Sequence, residues 1–406
     1  MHPAMLPLLA AETDRLLAFG HRSRVPGGFA RQADDGTALE GPRELWIACR
    51  MTHVYALGHL LGHAGSEDLV DHGVRSLRAA FRDAEHGGWF PAVAADGVPV
   101  DTTKAAYPHA FVVLAATSAA TAGHPDAPGL LAEALDVSER RFWDEAAGMV
   151  VEEWDRAFTT LDPYRGVNAA MHTVEAYLAA ADVTGEDRWL DRALRMVDRV
   201  AHHLAPAHDG RIPEHFDADW SPQPDYNADR PADPFRPFGS TVGHGLEWAR
   251  LTLHTRAALA ARGQQPPGWM ASAATALYDR AVADGWSVDG APGFVYTVDW
   301  SGRPVVRQRF HWVAAEAVAA AAALHRATGE ERFAHDLDRW WGYAADHLVD
   351  RRGGSWWHEL DPANAVARTV WKEKADLYHA VQATLIPRLP LAPALAPALA
   401  AGLLDG

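Results

Sequence analysis

The sequence has few of the features that mark secreted, membrane or nucleic-acid-binding proteins. Cysteine occurs once, at Cys49, which excludes an intramolecular disulfide framework and a cysteine-rich metal site and fits a reducing compartment. No apolar run reaches the roughly 18 residues of a membrane span, and the N-terminal segment lacks the basic region of a signal peptide. Lys and Arg number 37 against 53 Asp and Glu, and this net charge of -16 argues against nucleic acid and anionic membrane as partners. We expect a cytoplasmic protein, for which a neutral substrate is permitted.

Glycine-led segments recur along the 406 residues at a nearly constant spacing. They are rich in aromatic and β-branched residues and begin at Gly27, Gly87, Gly148, Gly210, Gly293 and Gly353. The spacings of 60, 61, 62, 83 and 60 residues indicate one supersecondary unit repeated about six times. No pattern in the sequence predicts an oligomeric state.

Segments rich in Ala and Leu with helical periodicity lie between the glycine-led segments. They predict helices over residues 45–61, 105–120, 168–181, 188–204, 244–261, 311–327 and 376–385. Each unit is then a helix pair followed by a hairpin-like excursion. The predicted fold is all-α, an (α/α)6 barrel of six helix pairs with short β-hairpins at one end, forming a single catalytic domain over residues 1–406. An open solenoid of helix pairs is the alternative.

The one long spacing is explained by a proline- and aspartate-rich segment, residues 217–237, whose composition suits neither a helix nor an ordinary strand. It leads directly into a predicted helix. A long loop in that place often forms a rim or lid over a pocket. The alternative is a flexible surface insertion.

The stretch from Phe238 to Leu253 places a histidine and a glutamate where a helix begins. His244 and Glu247 are three residues apart, so they share one helix face and the carboxylate can orient or polarise the imidazole. This is the make-up of an acid/base catalyst. A helix-capping histidine with a solvated glutamate is the alternative reading.

Four other predicted helices or helix starts carry comparable polar or aromatic groups. Spaced three to five residues apart on apolar helices, they point roughly one way and would line a polar pocket if the inner helices form a ring. Singly, such residues are more often satisfied core residues. The groups are Trp46 with Arg50; Asn168 with His172 and Glu175; Trp312 with Glu316; and Trp371 with Lys374 and His379. The 16 tryptophans fit either a core or stacking on sugar rings.

Six strings in the sequence resemble conserved blocks of the N-acylglucosamine 2-epimerase superfamily, in family order from about residue 43 to 385. They are LWIACRMTHVYALG, KAAYPHAFVVLAA, NAAMHTVEAYLAA, GHGLEWARL, FHWVAAEAV and KADLYHAVQATL. The resemblance implies an (α/α)6 barrel. The GHGLEWAR form, with Trp directly after Glu, is similar to the bacterial aldose–ketose isomerase branch.

The resemblance also implies roles for individual residues. His244 and His379 match the acid/base pair, and Arg50 and His172 match residues that hold the sugar hydroxyls and carbonyl oxygen. The matching supporting positions are Asn168, Tyr107, Glu247, Trp46, Trp312 and Glu316. No cofactor and no metal are expected, because the sequence has no HExxH, EF-hand-like or carboxylate-cluster motif. The HHLAPAH segment at residues 202–208 is interpreted as a solvated turn.

The expected reaction converts a free aldose such as D-mannose to its ketose. The opened sugar loses its C2 proton to a base with a pKa near the working pH, passes through a cis-enediolate and regains a proton at C1. Three alternatives remain: a sugar 2-epimerase, an inverting glycoside hydrolase, and a sugar-binding or interaction protein without activity. The hydrolase would need two carboxylates roughly 6.5–9.5 Å apart, for which Asp225, Glu316 and Glu359 are the candidates.

Overall fold

A computed structural model describes residues 5–405, so residues 1–4 and 406 of the predicted domain lie outside the described residues. The longer helices form two concentric rings. The inner helices are α2 (Leu45–Leu60), α4 (Ala106–Thr121), α6 (Val167–Thr184), α8 (Val242–Ala261), α10 (His311–Thr328) and α12 (Tyr378–Leu385). The outer helices are α1 (Met5–Gly20), α3 (Ser66–Ala79), α5 (Ala127–Val137), α7 (Asp187–Val197), α9 (Met270–Gly285) and α11 (Glu331–Tyr343). Each inner helix has one main partner among the outer helices, and α1 is the partner of α12.

The inner ring closes on itself. Each inner helix contacts its two neighbours, and α12 contacts both α10 and α2. The predicted (α/α)6 barrel is therefore confirmed, and the open solenoid is wrong. The sequence prediction gave residue ranges for the inner helices and α7 but none for the other outer helices. One of these is α1, the N-terminal helix, which forms the sixth pair with α12.

Composition explains which helices are inside. The inner helix α4 is buried on nearly every side, as expected for a helix with small and apolar residues all round. The outer helix α7 is amphipathic, burying Trp189, Leu190, Ala193, Met196 and Val197 while charged residues face outward. Three outer helices, α5, α7 and α11, run on into wider π-helical turns at Ser138–Phe142, Asp198–Leu204 and Ala344–Leu348.

Short antiparallel strands cluster where the inner helices begin. They are β1 (Arg24–Val25), β2 (Gly28–Phe29), β3 (Arg43–Glu44), β4 (Ala92–Val93), β5 (Pro99–Asp101), β6 (Lys104–Ala105), β7 (Trp143–Asp144), β8 (Met149–Val150), β9 (Glu153–Trp154), β10 (Arg165–Gly166), β11 (His215–Phe216), β12 (Ser240–Thr241), β13 (Thr297–Val298), β14 (Pro304–Val306), β15 (Arg309–Phe310) and β16 (Glu359–Leu360). They form the seven small sheets β1-β2, β3-β4-β5, β6-β9, β7-β8, β10-β11, β12-β13-β14 and β15-β16.

A repeated strand pairing fixes the start of each inner helix. The strand directly before an inner helix pairs with the strand that follows the next outer helix, as in Arg165↔Phe216, Ser240↔Val298 and Arg309↔Leu360. A bridge between Gln32 and Lys374 does the same before α12. The first turns of the six inner helices are thereby held together at one end of the barrel.

The opposite end of the barrel is covered by the C-terminal segment. A short helix, α13 (Leu395–Ala400), packs against α2, α4 and α6. Among residues 5–405, no helix has the length and apolar character needed to cross a membrane.

Candidate active site

A pocket opens where the inner helices begin, and each of the six helices contributes a side chain from its first turn. These first-turn residues are Trp46, Tyr107, Asn168, His244, Trp312 and His379. Arg50, His172 and Glu247 line the pocket from about one turn further along, and Trp371 lines it from the segment before α12. Ten of the eleven residues predicted for a site therefore line one pocket. The exception is Glu316, which lies behind His379.

His244 is held by a glutamate that the sequence reasoning missed. Its Nδ1 lies 2.8 Å from Oε2 of Glu214, and the other oxygen of that carboxylate accepts the Thr241 backbone N–H at 3.1 Å. The expectation that Glu247 orients His244 is wrong, because Glu247 turns toward Arg250 and His172 instead. Glu214 lies just before β11, and the pairing of β11 with β10 brings it beside the start of α8. Glu214 and His244 are 30 residues apart in sequence, so their contact becomes visible only once this strand pairing is known.

His379 has a similar arrangement with a second carboxylate. Its Nδ1 lies 3.1 Å from Oε1 of Glu316, which in turn accepts a 2.8 Å hydrogen bond from Nε of Arg250. Burial, together with the nearby Arg50 charge, holds the pKa of His379 well below its usual range. The imidazole is therefore neutral at pH 7 and available to accept a proton.

The two histidines face each other across an indole. The ring of Trp312 lies 5.4 Å from the ring of His244 and 5.8 Å from that of His379, centroid to centroid. A carboxylate only accepts hydrogen bonds, so the neutral form of each histidine carries its proton on Nδ1 and keeps the Nε2 lone pair for the pocket. The arrangement supplies two oriented bases on either side of one aromatic surface.

Arg50 is the cation of the pocket wall. It donates to Asp376 at 3.2 Å and to the Tyr107 hydroxyl at 3.1 Å, and its guanidinium lies 4.4 Å from the ring centre of Phe111 and 4.6 Å from that of Tyr378. Burial alone would lower its pKa, but Tyr107 and Asp376 more than offset this and the pKa is raised. Arg50 therefore stays charged, with planar donors at the pocket.

His172 is a neutral hydrogen-bonding group of the pocket floor. Burial and then the Arg50 charge hold its pKa well below the usual range. Its Nδ1 is 3.7 Å from Oε1 of Glu247, beyond hydrogen-bonding distance. Burial and the neighbouring Glu316 raise the pKa of Glu247 well above its usual range, so this carboxyl group favours its protonated form.

Two further histidines, also missed from the sequence, complete the wall. The rings of His311 and His358 are stacked with centroids 3.9 Å apart, and both line the pocket. Burial lowers the pKa of His311 to about 4 and that of His358 well below its usual range. Both are neutral at pH 7, which suits contact with an uncharged ligand.

Besides Glu316, two other residues of the predicted polar groups are not in the pocket. Nζ of Lys374 lies 2.7 Å from Asp350 and 3.0 Å from the carbonyl oxygen of Asp34, and this side chain does not line the pocket. The reason is that α12 begins only at Tyr378, so Lys374 does not follow helical spacing. Glu175 lies beneath the pocket floor, where it accepts a 2.8 Å hydrogen bond from Gln382.

The proline-rich loop reaches the pocket with its last residues. Pro234 and Phe235 line the pocket, and the Phe235 ring lies 6.3, 6.0 and 5.6 Å from those of Trp46, Tyr107 and Trp371. These rings form an aromatic mouth around the entrance. Such a mouth presents flat apolar surfaces to a sugar ring while leaving indole N–H groups for its hydroxyls.

A group with metal-binding spacing lies elsewhere. Within residues 5–405, the one set of three His, Cys, Asp or Glu side chains whose ligand atoms all lie within 4.8 Å of one another is Asp198, His202 and His203. None of the three lines the pocket.

Known proteins match this chain along almost its whole length. The family described as N-acylglucosamine 2-epimerase matches residues 27–383. A D-mannose isomerase of Thermobifida fusca is 51% identical over 97% of this chain and 96% of its own. A D-mannose isomerase of Pseudomonas cannabina pv. alisalensis is 47% identical over 98% and 96%. A solved structure described as a D-mannose isomerase superposes with a TM-score of 0.87 at 29% identity, covering 95% of this chain and 98% of that one.

Proposed function

Because the chain belongs to the N-acylglucosamine 2-epimerase family, we propose that it is an aldose–ketose isomerase that interconverts D-mannose and D-fructose. The observation that carries this proposal is the pair of carboxylate-anchored histidines, His244 and His379, on either side of Trp312 in one pocket. Isomerisation of a free sugar needs proton transfers at neighbouring carbon and oxygen atoms, and two oriented imidazoles can provide both.

The proton transfers divide between the two histidines. In the open-chain sugar, Nε2 of one histidine removes the C2 proton, and the electron pair forms the C1–C2 double bond while O1 becomes the enediolate oxygen. The same histidine returns the proton to C1, while the other moves a proton from O2 to O1. The C2 carbonyl of the ketose then forms, and both histidines end in their starting protonation states.

Charge develops on O1 and must be stabilised in a water-poor pocket. Arg50 supplies a permanent positive charge, and its bonds to Asp376 and Tyr107 hold the guanidinium in place. His172 supplies a neutral hydrogen-bond donor. Preorganised donors of this kind stabilise the transition state because they need no reorientation when the charge appears.

We include the loop of residues 217–237 in the proposal as the rim that excludes water from the bound sugar. Support comes from Phe235, which contacts the aromatic rings on both sides of the mouth. Water exclusion strengthens every electrostatic contact inside the pocket and protects the enediolate from stray protons.

Two alternative reactions have less support. A 2-epimerase of the same family would return the proton to the opposite face of C2, but the relatives described above are isomerases. An inverting hydrolase needs two free carboxylates, and none of its candidates lines the pocket. Asp225 is exposed, Glu316 is paired with Arg250, and Glu359 accepts the backbone N–H groups of Val370 and Trp371.

The test is proton NMR of the purified protein with D-mannose in D2O. Fructose as the first product, with deuterium entering the sugar, supports the isomerase. Glucose appearing before fructose would instead make it an epimerase, and no reaction with any free hexose would contradict both. His244→Asn and His379→Asn should each lower the rate by about 10²–10⁴. The control His335→Asn, on the exposed face of α11, should retain the wild-type rate.

A further inference from the structure

The π-helical turn that follows α7 brings three potential metal ligands to one side of the chain. An N–H to C=O bond spanning five residues, from Ala205 to Val200, marks this wider turn. Because the turn is wider than an α-helical one, His202 and His203, four and five residues after Asp198, both lie one turn above Asp198. The sequence reading of His202 and His203 as a solvated turn did not include this geometry.

The distances among these side chains suit a bound ion. Nδ1 of His202 lies 3.1 Å from Oδ1 of Asp198, and Nε2 of His203 lies 3.2 Å from Oδ2. Ligand atoms about 2.0–2.1 Å from a divalent ion, at tetrahedral or octahedral angles, are separated by roughly 3.0–3.4 Å. An ion between Asp198 and either histidine therefore needs no change of backbone conformation, and all three ligand atoms lie within 4.8 Å of one another.

One ligand is already held in position. The His202 ring is stacked on the indole of Trp269, just before α9, with centroids 4.5 Å apart and planes 4° apart. Such stacking restricts the imidazole before any ion arrives, which reduces the entropy lost on binding. His202, His203 and Asp198 retain 41%, 64% and 41% of their side-chain exposure, so an ion can reach them from solvent.

We propose that Asp198, His202 and His203 form a surface site for a divalent transition-metal ion of the Zn²⁺ or Ni²⁺ class. Two imidazoles and one carboxylate are the ligands that such ions prefer, and water fills the remaining positions. The site is separate from the sugar pocket. A bound ion fixes the π-helical turn beside Trp269. This turn lies at the start of the segment that leads from α7 to Glu214.

The test is equilibrium dialysis of the untagged protein against micromolar Zn²⁺ at pH 7.5, followed by metal analysis. His203→Ala and Asp198→Asn each remove a direct ligand. Each variant should therefore bind one Zn²⁺ fewer than the wild-type protein, or bind that ion at least about tenfold more weakly. His203 is exposed and Asn matches the shape of Asp198, so both variants should fold and keep wild-type isomerase activity. His202→Phe keeps the aromatic stack and should also lose the ion.

A matched control is His124→Ala, which removes a histidine paired with only one carboxylate, Asp71, at 3.5 Å. It should bind Zn²⁺ as the wild type does. As a second readout, Zn²⁺ should raise the thermal midpoint of the wild type and of this control but not of His203→Ala, since an ion that binds only the folded state stabilises it. Equal Zn²⁺ stoichiometry and affinity in the wild type and His203→Ala would overturn the proposal, whatever the isomerase assay shows.

Discussion

Replacing Glu214 by Gln tests whether this carboxylate sets the protonation of His244. Glu214 accepts two hydrogen bonds, one from the Thr241 backbone N–H and one from His244 Nδ1–H. Gln has a single acceptor oxygen. If that oxygen faces His244, the side-chain NH₂ group faces the buried Thr241 backbone N–H. The Thr241 N–H then has no acceptor, which costs about 1–3 kcal/mol.

In the opposite orientation of the amide, its oxygen accepts the Thr241 N–H and every hydrogen bond is satisfied. This orientation is therefore favoured by about 1–3 kcal/mol. Its amide N–H then donates to Nδ1 of His244, which drives the imidazole proton to Nε2 and removes the lone pair from the pocket. At 1–3 kcal/mol, the competent tautomer falls to roughly 15% or less of the molecules. The carboxylate charge that stabilises the imidazolium is lost as well. In the serine protease triad the same exchange lowers kcat by about 10⁴.

We therefore expect Glu214→Gln to lower kcat for D-mannose by about 10²–10⁴, with KM within a few-fold of wild type. Its free energy of unfolding should change by less than about 1.5 kcal/mol, since no buried group loses its partner. Steady-state kinetics and urea unfolding measure the two effects separately. Glu153→Gln, on β9 at the same end of the barrel, is the control and should keep its kcat. A kcat for Glu214→Gln within threefold of wild type would refute the reasoning.

Three further predictions concern stability and the pocket entrance. Burial raises the pKa of Glu152 to about 7, so the folded state holds this proton and wild-type stability falls as pH rises from 4.5 through about 7. The stability advantage of Glu152→Gln over wild type, from urea unfolding, should therefore grow by up to about 3 kcal/mol between pH 4.5 and pH 8; an advantage that shrinks would contradict this. Arg250→Met should lower the free energy of unfolding by about 3–5 kcal/mol, because it leaves the Glu316 carboxylate buried without its cationic partner, whereas Arg250→Lys should lose less. Equal losses for the two variants would show that the charge is not the cause. Phe235→Ala should raise KM for D-mannose several-fold by opening the mouth beside Trp46, with a smaller change in the thermal midpoint; an unchanged KM would remove the loop from the proposed site.

The inner ring of the fold could be predicted from the sequence because its helices carry strong local signals. Residues 313–324 are alanine and other apolar residues except for Glu316, and α10 spans His311–Thr328. Outer helices such as α3 begin with charged residues and are amphipathic, so their apolar stripe is narrower and harder to detect. The ring closure depends on α12 meeting α2, and the sixth helix pair on α12 meeting α1, across almost the whole chain, which no local pattern encodes.

Most pocket residues on helices were predicted from helix phase, whereas Glu214 and His358, outside the helices, were missed, as was His311 at the start of α10. His244 and His379 stand in the first turns of helices, so spacing within their helices places them. Glu214 lies in an extended segment that looks like an ordinary strand, and its contact with His244 exists only because β10 and β11 pair. Glu247 shows the converse: three-residue spacing put it on the correct side of α8, but side-chain direction gave it different partners.

The common direction of the inner helices has an electrical consequence. All six begin at the pocket, so the positive ends of their helix dipoles gather around it, each equivalent to roughly half a positive charge. A protein of net charge -16 thus places six positive helix ends around its pocket. In the proposed reaction these helix ends would favour the anionic enediolate over the neutral sugar, so the barrel itself would assist the proton transfers independently of any one side chain.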